Sequence, residues 1–188
     1  MSFSKKIKEA ALNPNFMTVS RVLAVPVLIV LLMFETRITT FLGALVFSAA
    51  SITDYLDGYI ARKYELVSTL GKMLDPLAVK LLISTAFVML VALGFMPGWI
   101  ACLIIGRELA VTGLRSIMVE HGEDVAASML GKLKTGFQIA SVIPLLLHYS
   151  YLGINFAAIG TVLLYGALIF TLWSGADYFL KSKKILGF

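Results

Sequence analysis

The chain has 188 residues, of which 59% are apolar and 14% are charged, and its mean hydropathy is +0.91. Soluble domains have about 45–50% apolar and about 25% charged residues. The composition therefore argues against an ordinary soluble domain, a disordered chain and a disulfide-stapled secreted module. A membrane span needs about 20 apolar residues, so six spans would use about 120. This arithmetic predicts an all-α, polytopic membrane protein that forms a single domain over residues 1–188.

Six apolar stretches follow one another along the chain. They predict six transmembrane helices, at 16–34, 38–61, 72–94, 97–118, 133–150 and 153–179. Ahead of them, the segment 2–12 places Phe3 and Ile7 on one helical face with lysines around it. That pattern predicts an N-terminal interfacial amphipathic helix on anionic lipid, and the alternative is an unstructured basic tail.

Positive charges are divided unequally between the two sides of the predicted membrane domain. The ends and loops on one side carry most of the 16 Lys and Arg, whereas those on the other side carry only Arg37. Because cytoplasmic loops carry such an excess, we expect both termini to be cytoplasmic in a multi-pass protein of the cell membrane. The same rule accounts for the net charge of +5 without a nucleic-acid partner.

Three aspartates lie inside predicted spans, where a charged side chain costs about 2.5–3.5 kcal/mol and marks a functional site by default. Asp54 and Asp57 lie near the cytoplasmic end of the second span, and Asp75 lies near that of the third. The spacing of Asp54, Asp57, Gly58 and Ala61 places them on one helix face. Carboxylates gathered at low dielectric need a cation, and their oxygens suit Mg²⁺, Mn²⁺ or Ca²⁺. Internal salt bridges to nearby Lys and Arg are the alternative.

The aspartates belong to a longer pattern of acidic, small and basic residues. It reads Asp54-x-x-Asp57-Gly58-x-x-Ala61-Arg62, then eight residues, then Gly71-x-x-x-Asp75. This pattern resembles the signature of the CDP-alcohol phosphotransferase family. The six predicted spans and the cytoplasmic termini also resemble the topology of that family. The family signature ends with a fourth Asp, and this chain has Val79 at that position.

The resemblance implies a reaction and its ligands. The family binds two divalent metals, Mg²⁺ or Mn²⁺, which grip the pyrophosphate of a CDP-linked lipid such as CDP-diacylglycerol. An alcohol then attacks the lipid-side phosphorus, and CMP leaves. The metal ligands implied here are Asp54, Asp57 and Asp75. The implied CDP-lipid-binding residues are Asn15, Thr18, Gly58, Arg62, Ser68 and Gly71. A homodimer and an active site that faces the cytoplasm are implied as well.

The roles implied at Val79 and at Asn15 or Thr18 have alternatives. In the family, the aspartate at the position of Val79 is the general base for the attacking hydroxyl and helps to hold a metal. Valine can do neither, so slow turnover is expected, with Asp57 as a substitute base; natural divergence and deliberate replacement both fit this position. For Asn15 or Thr18, the alternative to a nucleotide contact is a cap at the start of the first helix.

The fourth and fifth predicted spans carry cations that suit an anionic acceptor. Arg107 and Arg115 share a face at i and i+8, and Lys132 and Lys134 open the fifth span. Arg forks and Lys point charges are the groups that bind phosphate. The alternative for the lysines is ordinary positive-inside charge, and for Arg107 it is neutralisation by a carboxylate. The carboxylates considered for that role are Glu108 and Asp177.

The strings GRELAVTGLR and ASMLGKLKTGFQ resemble the phosphatidylglycerophosphate synthase branch of the family. That resemblance implies glycerol 3-phosphate as the acceptor and phosphatidylglycerophosphate and CMP as products. Another acceptor, such as inositol phosphate, serine or phosphatidylglycerol, is the alternative within the family. A divalent-cation transporter is the alternative from another class, since intramembrane aspartates line ion paths.

Overall fold

The computed structural model describes the backbone of residues 14–64, 69–121, 129–151 and 153–186. Within these ranges the chain forms six helices and one short hairpin. The helices are α1 (Pro14–Leu32), α2 (Arg37–Tyr64), α3 (Thr69–Ala92), α4 (Gly98–Glu120), α5 (Met129–Leu147) and α6 (Phe156–Leu186). The strands are β1 (Ser150–Tyr151) and β2 (Ile154–Asn155). The all-α prediction is thus confirmed apart from the hairpin, and the interfacial helix predicted for residues 2–12 lies outside the described residues.

Each predicted span corresponds to one helix, and the largest differences are at the fifth and sixth. Helix α5 comprises Met129–Leu147 instead of 133–150, and α6 comprises Phe156–Leu186 instead of 153–179. The antiparallel pair β1 and β2 occupies the interval, and Gly153 between the strands has a φ of +79°. Glycine adopts that conformation without a steric penalty. Strands of two residues are too short to leave an alternating pattern in the sequence, which is why the hairpin was not predicted.

Two helical segments among the described residues are long and apolar enough to cross a membrane, Met129–Leu147 and Phe156–Lys183. Three further apolar helical stretches are shorter, and they are Ser20–Leu32, Arg37–Thr53 and Leu77–Ala92. These segments, with the outward faces described below, indicate association with a membrane. The six-span topology and the cytoplasmic termini stay predictions.

The described chain divides into two compact units, Met1–Met89 and Leu90–Phe188, and the single-domain prediction stays a prediction. In the first unit α1 packs against α2. Their contact is close at Gly43, where an added Cβ would lie 2.9 Å from Leu32 Cδ2. The core there is apolar and consists of Leu28, Leu32, Ala44 and Phe47.

The start of α2 is fixed by a reciprocal pair of threonines. The backbone N–H of Thr36 donates to Thr39 Oγ1 at 3.1 Å, and the backbone N–H of Thr39 donates to Thr36 Oγ1 at 3.2 Å. Two N–H groups that a helix N-terminus leaves without partners are thereby satisfied. This turn sets the direction in which α2 runs toward the aspartate motif.

In the second unit α6 packs along α5 and against α4. Gly160 on α6 allows a backbone approach, because a Cβ there would lie 2.8 Å from the backbone nitrogen of Leu145. One turn and a half further on, Gly166 faces the ring of Phe137 at 3.0 Å by the same measure. Small residues at such positions let membrane helices approach closely. Helices α5 and α6 are therefore in close contact at these two glycines.

Helix α6 buries polar as well as apolar side chains and exposes large apolar ones. Its inward face buries the polar side chains of Thr171 and Ser174 completely. Its outward face exposes large apolar side chains, among them Val162, Ile169 and Trp173. An exposed apolar face marks a surface that contacts lipid or protein, and polar residues inside a membrane helix usually face the interior of the bundle.

Candidate functional site

The aspartate motif lies on two described helices. Helix α2 continues without a break through the motif, so its register places Asp54, Asp57 and Gly58 on one face. Helix α3 contains Asp75 and, one turn later, Val79. The side chain of Val79 is half-buried, whereas those of the three aspartates lie outside the described residues. The helical spacing that the motif requires is therefore present in the backbone.

The residues of this motif fit a divalent cation by their chemistry. They offer carboxylate oxygens at one-turn spacing on α2 and another on α3, and hard cations such as Mg²⁺ and Mn²⁺ take oxygen ligands. Among the side chains that the structure describes, no group of three or more His, Cys, Asp or Glu could hold a metal ion. The candidate metal ligands thus remain those of the motif, Asp54, Asp57 and Asp75.

The residues predicted to bind the CDP-lipid lie at helix ends. Helix α1 begins at Pro14, so Asn15 and Thr18 lie within its first two turns and neither is its N-cap; that alternative was wrong. Proline is favoured at the first helical position because its missing N–H would have no partner there. Of the other four, Gly58 and Arg62 lie in the last two turns of α2, Gly71 lies in the first turn of α3, and Ser68 lies outside the described residues.

Two of the predicted acceptor-binding cations meet at one carboxylate. Glu108 Oε1 accepts a hydrogen bond from Lys134 Nζ on α5 and another, at 3.4 Å, from Arg107 Nη1 on α4. The exposed fraction of the side chain is 11% for Glu108, 11% for Arg107 and 7% for Lys134. Two cations and one carboxylate therefore share a nearly buried site with a net charge of +1.

Helix α6 holds the other side of the Arg107 guanidinium. Nη2 of Arg107 donates to Ser174 Oγ at 3.0 Å, and Ser174 Oγ donates to the carbonyl of Thr171 at 3.2 Å. A Cβ on Gly175 would lie 3.1 Å from Arg107 Cγ and 3.2 Å from Arg107 Nε. The stem of Arg107 thus lies against the backbone of α6, and its buried Nε has no hydrogen-bond partner among the described residues.

A second buried polar contact extends this site along α5 and α6. Gln138 lies one turn after Lys134 and donates from Nε2 to Thr171 Oγ1 at 3.3 Å. Ser141 is also fully buried and donates to the carbonyl of Gln138 at 2.8 Å. Because buried polar groups cost free energy unless they are hydrogen-bonded, this network fixes the relative rotation of the two helices.

The remaining two predicted cations have different surroundings. Arg115 on α4 and Lys132 on α5 are exposed, and the structure does not bring them into the buried site. Of the two carboxylates considered for Arg107, Glu108 is the partner. Asp177 instead accepts a hydrogen bond from Lys181 at 2.7 Å, one turn along α6. Acceptor binding by the four cations stays a prediction.

Sequence reasoning missed the contribution of α6. Ser174 and Gly175 were not singled out, although Thr171 and Ser174 are polar residues at i and i+3 within an otherwise apolar helix. A polar pair at helical spacing inside a span is the signal that could have identified them. Their partner Arg107 lies 67 positions away, so no local pattern joins them.

The chain is similar to known proteins over most of its length. The sequence model of the CDP-alcohol phosphatidyltransferase family matches residues 11–173. A relative from Bacillus subtilis named CDP-diacylglycerol–glycerol-3-phosphate 3-phosphatidyltransferase is 40% identical over 188 residues, covering 92% of this chain and 96% of the relative. Proteins of the same name from Rickettsia felis and Escherichia coli are 40% and 33% identical, covering 91% and 92% of this chain and 95% and 96% of theirs. The chain belongs to the CDP-alcohol phosphatidyltransferase family.

Proposed function

We propose that the protein transfers the phosphatidyl group of CDP-diacylglycerol to glycerol 3-phosphate, giving phosphatidylglycerophosphate and CMP. The relatives' names support this donor and this acceptor. The structural observation that carries the proposal is the buried group of Arg107, Glu108 and Lys134, in which two cations share one carboxylate. A net positive charge at low dielectric favours an acceptor that brings a phosphate.

In this proposal the acceptor phosphate binds to Arg107 and Lys134. A guanidinium presents a planar fork of donors, and an ammonium presents a point charge, so the pair matches a phosphate from two helices. Arg115 and Lys132 are exposed. We propose that they attract the acceptor phosphate electrostatically toward the buried pair. Charges in such exposed positions act over about a Debye length and are screened by salt.

The donor half of the reaction is assigned to the motif on α2 and α3. Asp54, Asp57 and Asp75 would hold Mg²⁺ or Mn²⁺, since the family generally uses a divalent metal. A bound metal supplies positive charge that stabilises the oxygens of a transferring phosphoryl group. The proposed CDP-lipid contacts are Asn15, Thr18, Gly58, Arg62, Ser68 and Gly71. Gly58 and Gly71 leave room for close approach of a ligand to the helix backbone.

Val79 departs from the family signature, which has an aspartate at this position. It lies one turn after Asp75 on α3, where a carboxylate would serve as general base, and we assign Asp57 as its partial substitute. General-base catalysis contributes about 10²–10⁴-fold, so Val79→Asp should raise kcat by at least about tenfold with both substrates saturating. An unchanged kcat in a chain that is already fully active would place the base elsewhere.

The protein is associated with a membrane, and we propose a finer arrangement. It comprises six spans, an interfacial helix at residues 2–12, cytoplasmic termini, a cytoplasmic active site and a homodimer. The distribution of Lys and Arg along the sequence supports the orientation. Labelling of single cysteines introduced at residues 36 and 123 of a Cys102→Ser chain in spheroplasts tests it. Residue 36 should react from outside and residue 123 should not.

The direct test of function is CMP release from CDP-diacylglycerol in mixed micelles with four acceptors, with and without Mg²⁺. Glycerol 3-phosphate should release CMP at least about tenfold faster than serine, inositol phosphate or phosphatidylglycerol, and chelation of the metal should abolish the release. Equal or greater release with another acceptor would overturn the assignment of glycerol 3-phosphate. Release that does not respond to chelation would overturn the metal site.

A further inference from the structure

We propose that Glu108 is a positioning residue that joins Arg107 and Lys134 into one phosphate-binding pair. The proposal rests on the function proposed above and goes beyond it, because it assigns a role to an acidic residue within a site for an anion. Glu108 is the third residue of the string GRE on α4. Its carboxylate touches both cations and stands between two helices.

The geometry shows how one carboxylate can organise both cations. The same oxygen, Oε1 of Glu108, accepts hydrogen bonds from Lys134 Nζ and from Arg107 Nη1. Lys134 comes from a different helix and lies 26 positions away, so this oxygen fixes the distance between the two cationic groups. Ser174 Oγ accepts from Nη2 of Arg107 and fixes the rotation of the guanidinium from the α6 side.

Charge explains why a carboxylate is required at this position. Two cations side by side repel each other, and the repulsion is strong where water is excluded. Without Glu108 the flexible Lys134 chain would turn its ammonium toward water, and the pair would be lost. Glu108 neutralises one of the two charges and leaves a net charge of +1 for the ligand.

Glu108 and Ser174 do not use all the donors of Arg107. An Arg side chain has five N–H donors. Glu108 Oε1 and Ser174 Oγ accept one each from Arg107, and its buried Nε has no hydrogen-bond partner among the described residues. Glu108 therefore holds both cations while N–H donors of Arg107 remain for a phosphate. This arrangement favours positioning by Glu108 over competition with the acceptor.

Glu108→Gln is the informative variant, because it keeps the shape of the side chain and removes its charge. We expect the KM for glycerol 3-phosphate to rise about tenfold, with the KM for CDP-diacylglycerol changed less than about twofold. Glu120→Gln is the matched control, since Glu120 is an exposed carboxylate on the same helix, and it should leave both constants unchanged. Thermal midpoints of all variants in detergent report folding.

A double-mutant cycle separates positioning from a structural role. If Glu108 acts through Lys134, then Glu108→Gln should change the acceptor KM by less than about twofold in a Lys134→Ala background. The proposal is overturned if Glu108→Gln lowers the acceptor KM, which would mean that the carboxylate competes with phosphate. It is also overturned if the effect is the same in both backgrounds. Failure of the unaltered protein to use glycerol 3-phosphate would instead overturn the proposed function.

Discussion

Arg107 and Arg115 lie two turns apart on α4 and carry the same charge, yet their surroundings differ. Arg107 is nearly buried and contacts Glu108 and Ser174. Arg115 is exposed. The same contrast holds on α5, where Lys134 is buried and Lys132 is exposed.

The contrast separates two ways in which a cation contributes to binding. A buried cation held by fixed partners is already oriented when the ligand arrives, so little conformational entropy is lost on binding. An exposed cation is hydrated, mobile and screened by salt. Residues of the same type on one helix are therefore expected to differ by about one to two orders of magnitude in how far their removal lowers kcat/KM.

The largest expected effect is from Arg107→Ala. A hydrogen bond to a charged group contributes about 1.5–3 kcal/mol, and Arg107 presents several donors. We therefore expect kcat/KM for glycerol 3-phosphate to fall about a hundredfold, measured by CMP release at fixed CDP-diacylglycerol. Arg115→Ala is the matched control and should cost no more than about threefold. Equal losses in the two variants would break the contrast between the buried and exposed arginines.

The lysines extend the contrast to stability. Lys134→Met removes the ammonium that contacts Glu108 and leaves the carboxylate with a 3.4 Å contact to Arg107. We expect the free energy of unfolding to fall by about 1–3 kcal/mol. Lys132→Met, at an exposed position, should change it by less than about 0.5 kcal/mol. Unfolding in mixed micelles, followed by circular dichroism, measures the free energy of unfolding of both variants. An unchanged free energy of unfolding in Lys134→Met would show that the buried contact contributes nothing to stability.

A smaller effect is expected from a change in the contact between Arg107 and Gly175 of α6. Gly175→Ala places a Cβ 3.1 Å from Arg107 Cγ, so the arginine stem must move by a few tenths of an ångström. We expect the KM for glycerol 3-phosphate to rise about fivefold. Gly113→Ala on α4 is the control, because nothing lies within 4 Å of a Cβ there, and its acceptor KM should not change. A KM rise in both variants would point to a general effect of glycine replacement.

The smallest expected effect concerns the two histidines, of which one is half-buried and one exposed. His148 stacks on Phe95 with ring centroids 3.6 Å apart, and burial lowers the pKa of His148 below its usual 6.5. The unfolded chain then binds the proton more readily, so stability is constant above about pH 7 and falls as the pH drops below 6.5. Thermal midpoints between pH 5 and 8 measure this decline.

Two variants test the origin of that pH dependence. His148→Asn keeps a residue that tolerates the φ of +48° at this position, and it should flatten the decline below pH 6.5. His121→Asn changes the exposed histidine that follows α4 and should leave the decline in place. A decline that survives in His148→Asn would assign it to other groups.

The sequence predicted the helices well, because their signals are local. Apolar runs identify spans, and the spacing of Asp54, Asp57 and Gly58 is short enough to be read along one helix. The difference in burial between Arg107 and Arg115 could not be predicted, because spacing at i and i+8 specifies a shared helix face and does not specify burial. Glu108 was considered only as a neutralising partner, and its contact with Lys134 joins residues 26 positions apart.

The most direct test of the buried pair is the preference for a phosphorylated acceptor. CMP release with glycerol 3-phosphate is compared with release with glycerol in two double variants, Arg107→Ala/Lys134→Met and Arg115→Ala/Lys132→Met. If the buried pair recognises the phosphate, the ratio of the two rates should fall by at least about a hundredfold in the first variant and by less than about tenfold in the second. Equal falls in the two variants, or an unchanged ratio in the first, would contradict the assignment of the phosphate to the buried pair.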